Sequence, residues 1–261
     1  LKAARERCWP RPASLKVPDE PLAVDEWTAL PSKVDGAPSA VRCRCRVAYD
    51  GTQYHGFARC RGGSPYTISG MLDNALSLHA GCDIFVRGAS RTDAGVHARG
   101  QALHFDLPAS VAAARPAEWQ HVWEAKLNGI LPDDIRVFAL EEAPPGFHAL
   151  SNLGKTYVYR LHVGTGVPDP LQRTFYYRVP YLWAQSLGGD LDLLREAASR
   201  FVGERDFAYF AREDPSRPNI TTVRTIRRIE VIDEGGGSCR VEIDLNGALW
   251  NMVRNVVGCI L

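Results

Sequence analysis

Charge of one sign is what this chain most lacks. Its 31 basic and 30 acidic residues leave a formal charge of +1. That excludes a polycation gripping nucleic acid by bulk charge, so any such contact rests on where the charges sit. Long apolar runs are missing too. None approaches the roughly 18 residues that a spanning helix needs, and no membrane partner is expected. Metal-spaced cysteines are absent as well. The seven cysteines (Cys8, Cys43, Cys45, Cys60, Cys82, Cys239 and Cys259) make an odd count without a C-x-x-C pair. Cys43 and Cys45 lie two apart in an alternating segment and face one side, but no second pair follows at zinc-like spacing. All seven read as reduced thiols of an intracellular, soluble protein. The histidines form no ligand set either. Asp93 and His97 are four apart with Gly95 between them, and His55, His104 and His148 stand singly, so no metal is expected.

Lysine is scarce: of the 31 basic residues, 26 are arginine and 5 are lysine. Between positions 42 and 61 stand Arg42, Arg44, Arg46, Arg59 and Arg61 against a single acid, Asp50. The planar guanidinium suits phosphates and base edges. A composition biased towards arginine gives the same count.

At 261 residues, 45% of them hydrophobic, the chain fits one large domain or two intimate halves. Residues 1 to 40 lack periodicity and carry Pro10, Pro12, Pro18, Pro21, Pro31 and Pro38, so they read as an extension or linker. Val41 to Tyr49 alternates arginine with Cys, Val and Ala, which predicts a strand with one basic and one buried face. A helix is predicted over Thr67 to Ala80, with Thr67 as its N-cap. Strands over Cys82 to Val86 and Ala102 to Phe105 follow, then a helix over Ser110 to Asn128 stopped by Gly129, then a strand over Asp134 to Glu141. A second run begins with a strand over Lys155 to Val163 and a helix over Asp190 to Phe201. Strands over Thr222 to Ile232 and Cys239 to Leu245 are joined at the Glu234-Gly235-Gly236-Gly237 turn, and a helix starts at Trp250. The reading is α+β, with residues 41–150 as the N-terminal half and 151–261 as the C-terminal half.

One loop concentrates chemistry. Gly88-Ala89-Ser90-Arg91-Thr92-Asp93-Ala94-Gly95-Val96-His97-Ala98 lies between predicted strands. Its glycines permit φ > 0 and close approach of the backbone to a ligand, so Asp93 can be presented to a substrate. An isolated Asp in a loop also serves as the cap of a polar turn. Tyr49, Asp50 and Gly51 read as structural, with Asp50 holding a turn.

The string from Arg91 to Ala98, "RTDAGVHA", resembles the catalytic motif of the TruA family of tRNA pseudouridine synthases. It does not stand alone. "YDGTQYHGF" (Tyr49 to Phe57), "LNGILPDDIRV" (Leu127 to Val137), "FHAL" (Phe147 to Leu150), "KTYVYRL" (Lys155 to Leu161), "FVGERDF" (Phe201 to Phe207) and "MVRNVVG" (Met252 to Gly258) resemble the family's segments in the family's order. The resemblance implies a pseudouridine synthase fold: two ferredoxin-like α+β halves whose antiparallel sheets meet at a central cleft. It implies isomerisation of uridine to pseudouridine in tRNA, in the anticodon arm at or near the 3′ junction of stem and loop. That reaction breaks the C1′–N1 bond, rotates the base and joins C5 to C1′. It needs no redox or energy input, so no cofactor is expected.

By the same resemblance Asp93 is the catalytic nucleophile and Arg254 its paired cation, without which burial would raise the pKa of a lone carboxylate. Tyr157 lies against the target base, and Arg91 helps to extrude the nucleotide. Arg59, Arg61, Arg99 and Lys155 are candidate RNA contacts. A homodimer with tRNA across both subunits is implied. Two departures are visible. Leu150 stands where the family commonly has arginine, and the chain begins with Leu1 and stops at Leu261 inside the helix that carries Arg254, which predicts a partial chain. Both leave room for a rival: an RNA-binding or RNA-folding module without turnover.

Overall fold

The computed structural model describes residues 40–59, 66–213 and 220–261. The expected extension over residues 1 to 40 lies outside the described residues, save for Ala40. The chain forms two compact units, one ending at Asn152 and one running from Leu153 to Leu261. Each has its own apolar core.

In the first unit the order is β1 (Ala40–Tyr49), α1 (Ile68–Ala80), β2 (Arg87–Gly88), β3 (Ala98–Pro108), α2 (Ala109–Ala113), α3 (Trp119–Ile130) and β4 (Ile135–Glu142). The sheet runs β2-β3-β1-β4 with every neighbour antiparallel, which is the ferredoxin-like order. Alternation in β1 decides its two faces. Cys43, Cys45, Val47 and Tyr49 are buried in one core with Ile68, Leu72 and Leu76 of α1 and with Trp123 and Leu127 of α3. Each large side chain so buried contributes about 1.5–3 kcal/mol. On the opposite face Arg42 donates to both oxygens of Asp106 at 2.7 and 2.9 Å, and Arg44 pairs with Glu141 at 2.7 Å. The basic face is real, and acids across the sheet answer it. Thr67 caps α1 by accepting from the Gly70 N–H at 3.2 Å.

Two expected elements differ. Cys82 to Val86 is not a strand; only Arg87–Gly88 pairs, with β3. The α1 side chains take its backbone groups first. The Asp73 carboxylate accepts from Val86 N–H at 2.6 Å, and the Ser77 hydroxyl accepts from Ile84 N–H at 2.9 Å. A segment satisfied from its side has no need of a ladder. The single helix expected over Ser110 to Asn128 is two, α2 and α3. Pro116 disfavours helix at the residue before it, and Glu118 enters α3 in the left-handed region at φ 54°. Gly129 does not stop α3, which runs on to Ile130.

The second unit contains β5 (Lys155–His162), β6 (Tyr177–Arg178), α4 (Tyr181–Leu187), α5 (Leu191–Ser199), β7 (Gly203–Asp206), β8 (Val223–Gly235), β9 (Ser238–Leu245) and α6 (Met252–Ile260), with a 3-10 turn over Ala208–Phe210. Its sheet runs β6-β5-β9-β8-β7, antiparallel except for the parallel β5–β6 pair. Gly235 and Gly236 turn the β8–β9 hairpin at φ 79° and 61°. Leu194 and Ala198 of α5 and Met252, Val253, Val256 and Val257 of α6 share one core with Val241 and Ile243 of β9. Among the described cysteines (Cys43, Cys45, Cys82, Cys239 and Cys259) none is paired in a disulfide, and Cys8 and Cys60 lie outside the described residues. Burial pushes the Cys43 thiol up to about 12 and the Cys45 thiol well above its ordinary value.

Candidate active site

Asp93 opens a tight turn: the Val96 N–H donates to its carbonyl at 3.2 Å, and Gly95 takes φ 77° at the third position. Asp93, Ala94 and Gly95 are all exposed. The turn is presented outward while the backbone just before it is fixed. Thr92 is held twice from the first unit's opening segment. Its carbonyl accepts from Phe57 N–H at 2.9 Å, and its hydroxyl lies 2.8 Å from the Tyr49 phenol. Gly56, at φ 92°, packs so closely that a Cβ there would lie 2.7 Å from the Thr92 carbonyl oxygen and 3.2 Å from the Asp93 carbonyl carbon. A Cβ on Gly51 would lie 2.0 Å from the Val96 carbonyl oxygen.

The other end of the loop is clamped by charge. His97 Nδ1 lies 2.8 Å from Asp50 Oδ1 and 3.2 Å from the Gly51 nitrogen. One nitrogen cannot serve both. Beside an ionised carboxylate it carries the proton and donates to Asp50. Asp50 also accepts from the Thr52 N–H at 3.0 Å and its hydroxyl at 2.6 Å. Burial alone would raise the Asp50 carboxyl; the hydrogen bonds from His97 and Thr52 and the imidazolium charge win and bring it down to about 2. Asp50 thus holds its own turn, as the sequence led one to expect, and the aspartate loop as well. Sequence reasoning missed this second role, together with Thr92, Gly56 and Phe57. The signal was present in the Tyr49–Phe57 motif, but its purpose is tertiary.

The remaining candidates fall as follows. Arg91 and Arg99 are exposed on the first unit at the two sides of the Asp93 turn. Arg59 pairs with the buried Asp73 at 2.5 Å and stacks on Phe85 at 4.4 Å. Arg61 lies outside the described residues. On the second unit Lys155 and Tyr157 are half-buried along one face of β5, opposite Leu245 and Ile243 of β9. Burial lowers the Lys155 ammonium from its ordinary value. Arg254 is exposed in the first turn of α6 while Met252, Val253, Val256 and Val257 are buried. That periodicity seats the helix and turns Arg254 outward.

The Phe147–Leu150 segment covers the charged face of the first sheet. Arg42 donates to the Phe147 carbonyl at 2.9 Å, and Ala149 N–H donates to His104 Nδ1 at 3.2 Å, with the His148 ring 4.5 Å from His104. Burial above all brings His104 down to about 3, so it stays neutral there. Leu150 is 53% exposed. Among the described residues no three or more His, Cys, Asp or Glu side chains converge to hold a metal. Nor, among them, is any helix long and apolar enough to cross a membrane.

Known proteins resemble this chain over most of its length. A family model described as tRNA pseudouridine synthase matches residues 197–261. A tRNA pseudouridine synthase A of Streptomyces avermitilis is 37% identical over 230 residues, covering 86% of this chain and 75% of the relative. One from Anoxybacillus flavithermus is 35% identical over 221 residues, with 84% and 82% covered. A tRNA pseudouridine synthase A 1 of Protochlamydia amoebophila is 37% identical over 218 residues, with 82% and 78% covered.

Proposed function

This chain belongs to the TruA family of tRNA pseudouridine synthases, and from that premise we propose that it is an isomerase converting uridine to pseudouridine in tRNA, with Asp93 as its nucleophile. The observation that carries the role of Asp93 is its place in an outward turn whose backbone Tyr49 and Phe57 hold at Thr92. A carboxylate attacks only if it is ionised and fixed. It adds at the sugar or at C6 of the base, the C1′–N1 bond breaks, the uracil turns, and C5 bonds to C1′ as the carboxylate departs. The C5 proton is lost and N1 gains one, so nothing is oxidised or reduced. Arg254 supplies the nucleophile's paired cation, Tyr157 offers its ring to the flipped base, and Arg91 takes a phosphate or fills the vacated stack. Arg59, Arg99 and Lys155 add contacts to the RNA. The target uridine lies in the anticodon arm, as the motif resemblance implies.

The test is tritium release from tRNA transcripts labelled at C5 of uridine, run beside Asp93→Ala. Release by the parent and none by the variant supports the reading. Turnover by Asp93→Ala near the parent's level removes Asp93 from the mechanism.

A homodimer belongs to the same proposal. Val167, Leu171, Tyr181, Leu182, Trp183 and Leu193 are all more than half exposed in one stretch of the second unit, beside the edge strand β6. Exposed large apolar side chains gathered in one stretch of sequence are what an association surface would bury. Light scattering that finds only monomer at working concentration would remove it.

A further inference from the structure

We propose that Tyr209 and Trp250, with Arg212, form a stacking platform for unpaired nucleotides of the RNA substrate. The inference rests on the RNA-modifying reading above. Tyr209 is 100% exposed although its neighbours are anchors: Phe207 is buried, and Phe210 meets Phe201 and Phe207 edge-on at 5.3 and 5.9 Å. Asp206 braces the entry to this 3-10 turn by accepting from Ala208 N–H at 3.0 Å. The turn is therefore rigid, and Tyr209 is the aromatic it displays.

The same turn is bonded to the approach to α6. Asn255 Nδ2 donates to the Phe210 carbonyl at 2.9 Å, and Arg212 N–H donates to the Trp250 carbonyl at 2.9 Å. Arg212 then lays its guanidinium 4.5 Å over the Trp250 indole, which remains 37% exposed. Two large rings, one already covered on one face by arginine, thus stand on two cross-linked segments. Arg254, in the first turn of α6, is exposed as well. Rigid aromatics beside arginines are the chemistry that holds splayed bases in single-stranded RNA, because every base has a π-face and the backbone supplies the anions. A single exposed tyrosine needs no explanation. A tyrosine and a stacked Trp–Arg pair held together do.

Tyr209 contributes nothing to the core, so Tyr209→Ala leaves folding unchanged and gives the clean test. Initial rates of tritium release on tRNA are measured with Tyr209→Ala, Tyr209→Phe and Trp250→Ala, alongside binding of a single-stranded oligouridine. The platform requires KM to rise about 5- to 100-fold for either alanine variant, kcat to stay within about twofold, and Tyr209→Phe to keep the parent's KM. Oligouridine binding weakens in the same ratio. That ratio holds as salt is raised, because stacking releases no counterions. A Tyr209→Ala enzyme with unchanged KM overturns the platform while leaving the enzyme reading intact. If the parent binds tRNA but releases no tritium, weaker binding by Tyr209→Ala still supports the platform and the turnover reading fails instead. Dissociation of a dimer in Tyr209→Ala, seen by light scattering, overturns the platform and assigns the surface to a second copy of the chain.

Discussion

His97 donates through Nδ1 to Asp50 at 2.8 Å, and that one contact ties the end of the Asp93 loop to the turn that follows β1. A charge-assisted bond between partly buried groups is worth about 1.5–3 kcal/mol. If it positions the nucleophile, losing it shows in turnover rather than binding. His97→Ala is expected to lower kcat about 10- to 100-fold with the tRNA Kd unchanged. His97→Gln, which keeps a donor, recovers part of the loss. A variant with the parent's kcat would show that the loop needs no such clamp.

The same pair sets a pH limit. Asp50 titrates at about 2 when folded against 3.8 as its ordinary value. The folded state therefore holds the proton more weakly, and the stability from this carboxylate is fully present above about 3.8 and lost as pH falls towards 2. Thermal melts should find Asp50→Asn less stable than the parent by a steady margin around pH 5, where His97 is protonated and Asp50 ionised, and by a shrinking one below pH 4. A margin that stays constant down to the acid limit would detach the ionisation of Asp50 from the stability of the turn.

Glycines around the loop differ in what they exclude. Gly56 combines φ 92° with a neighbouring carbonyl oxygen 2.7 Å from any Cβ, whereas Gly95 at φ 77° has open space around it. Gly95→Ala bears only the left-handed backbone cost, about 1–2 kcal/mol. Gly56→Ala bears that and must also move the Thr92 carbonyl, so it should melt lower and lose more activity than Gly95→Ala. Equal melting temperatures would mean that the close approach of the two segments is not maintained in solution.

How much of this was legible follows from where the determinants lie. The faces of β1, the Thr67 cap and the Asp93 motif are local in sequence, and each was readable from residues a few positions apart. Pro116 was equally local, and it breaks the helix expected over Ser110 to Asn128. The region from Cys82 to Val86 was not readable, because Asp73 and Ser77, from a different element, satisfy its backbone. The short β6 and α4 gave no period, since Tyr177, Tyr181, Leu182 and Trp183 are turned outward. The brace of the candidate site is likewise tertiary: nothing near Thr92 announces that Tyr49 and Phe57 grip it. Arg59 carries the same lesson: the carboxylate it pairs with, Asp73, comes from a different element, and nothing in the residues around Arg59 announces it.

That carboxylate gives the last prediction. Arg59 lies 2.5 Å from Asp73 Oδ2, close but off hydrogen-bond alignment, and the Asp73 side chain is 6% exposed. Burial pushes Asp73 up to about 6, against the pull of the Val86 N–H and of Arg59. The folded pKa lies above the unfolded one, so the fold favours the protonated acid. That stabilisation is full below about 3.8 and lost as pH rises through 6. Removing Arg59 deepens the penalty on the ionised form alone. Arg59→Leu should therefore be less stable than the parent by about 1–2 kcal/mol at pH 8, and by clearly less at pH 5, where Asp73 is mostly protonated; half the arginine is exposed, which keeps the figure small. Equal destabilisation at both pH values, read from melting temperatures, would mean that Arg59 acts through its stacking on Phe85 and not through the charge of Asp73.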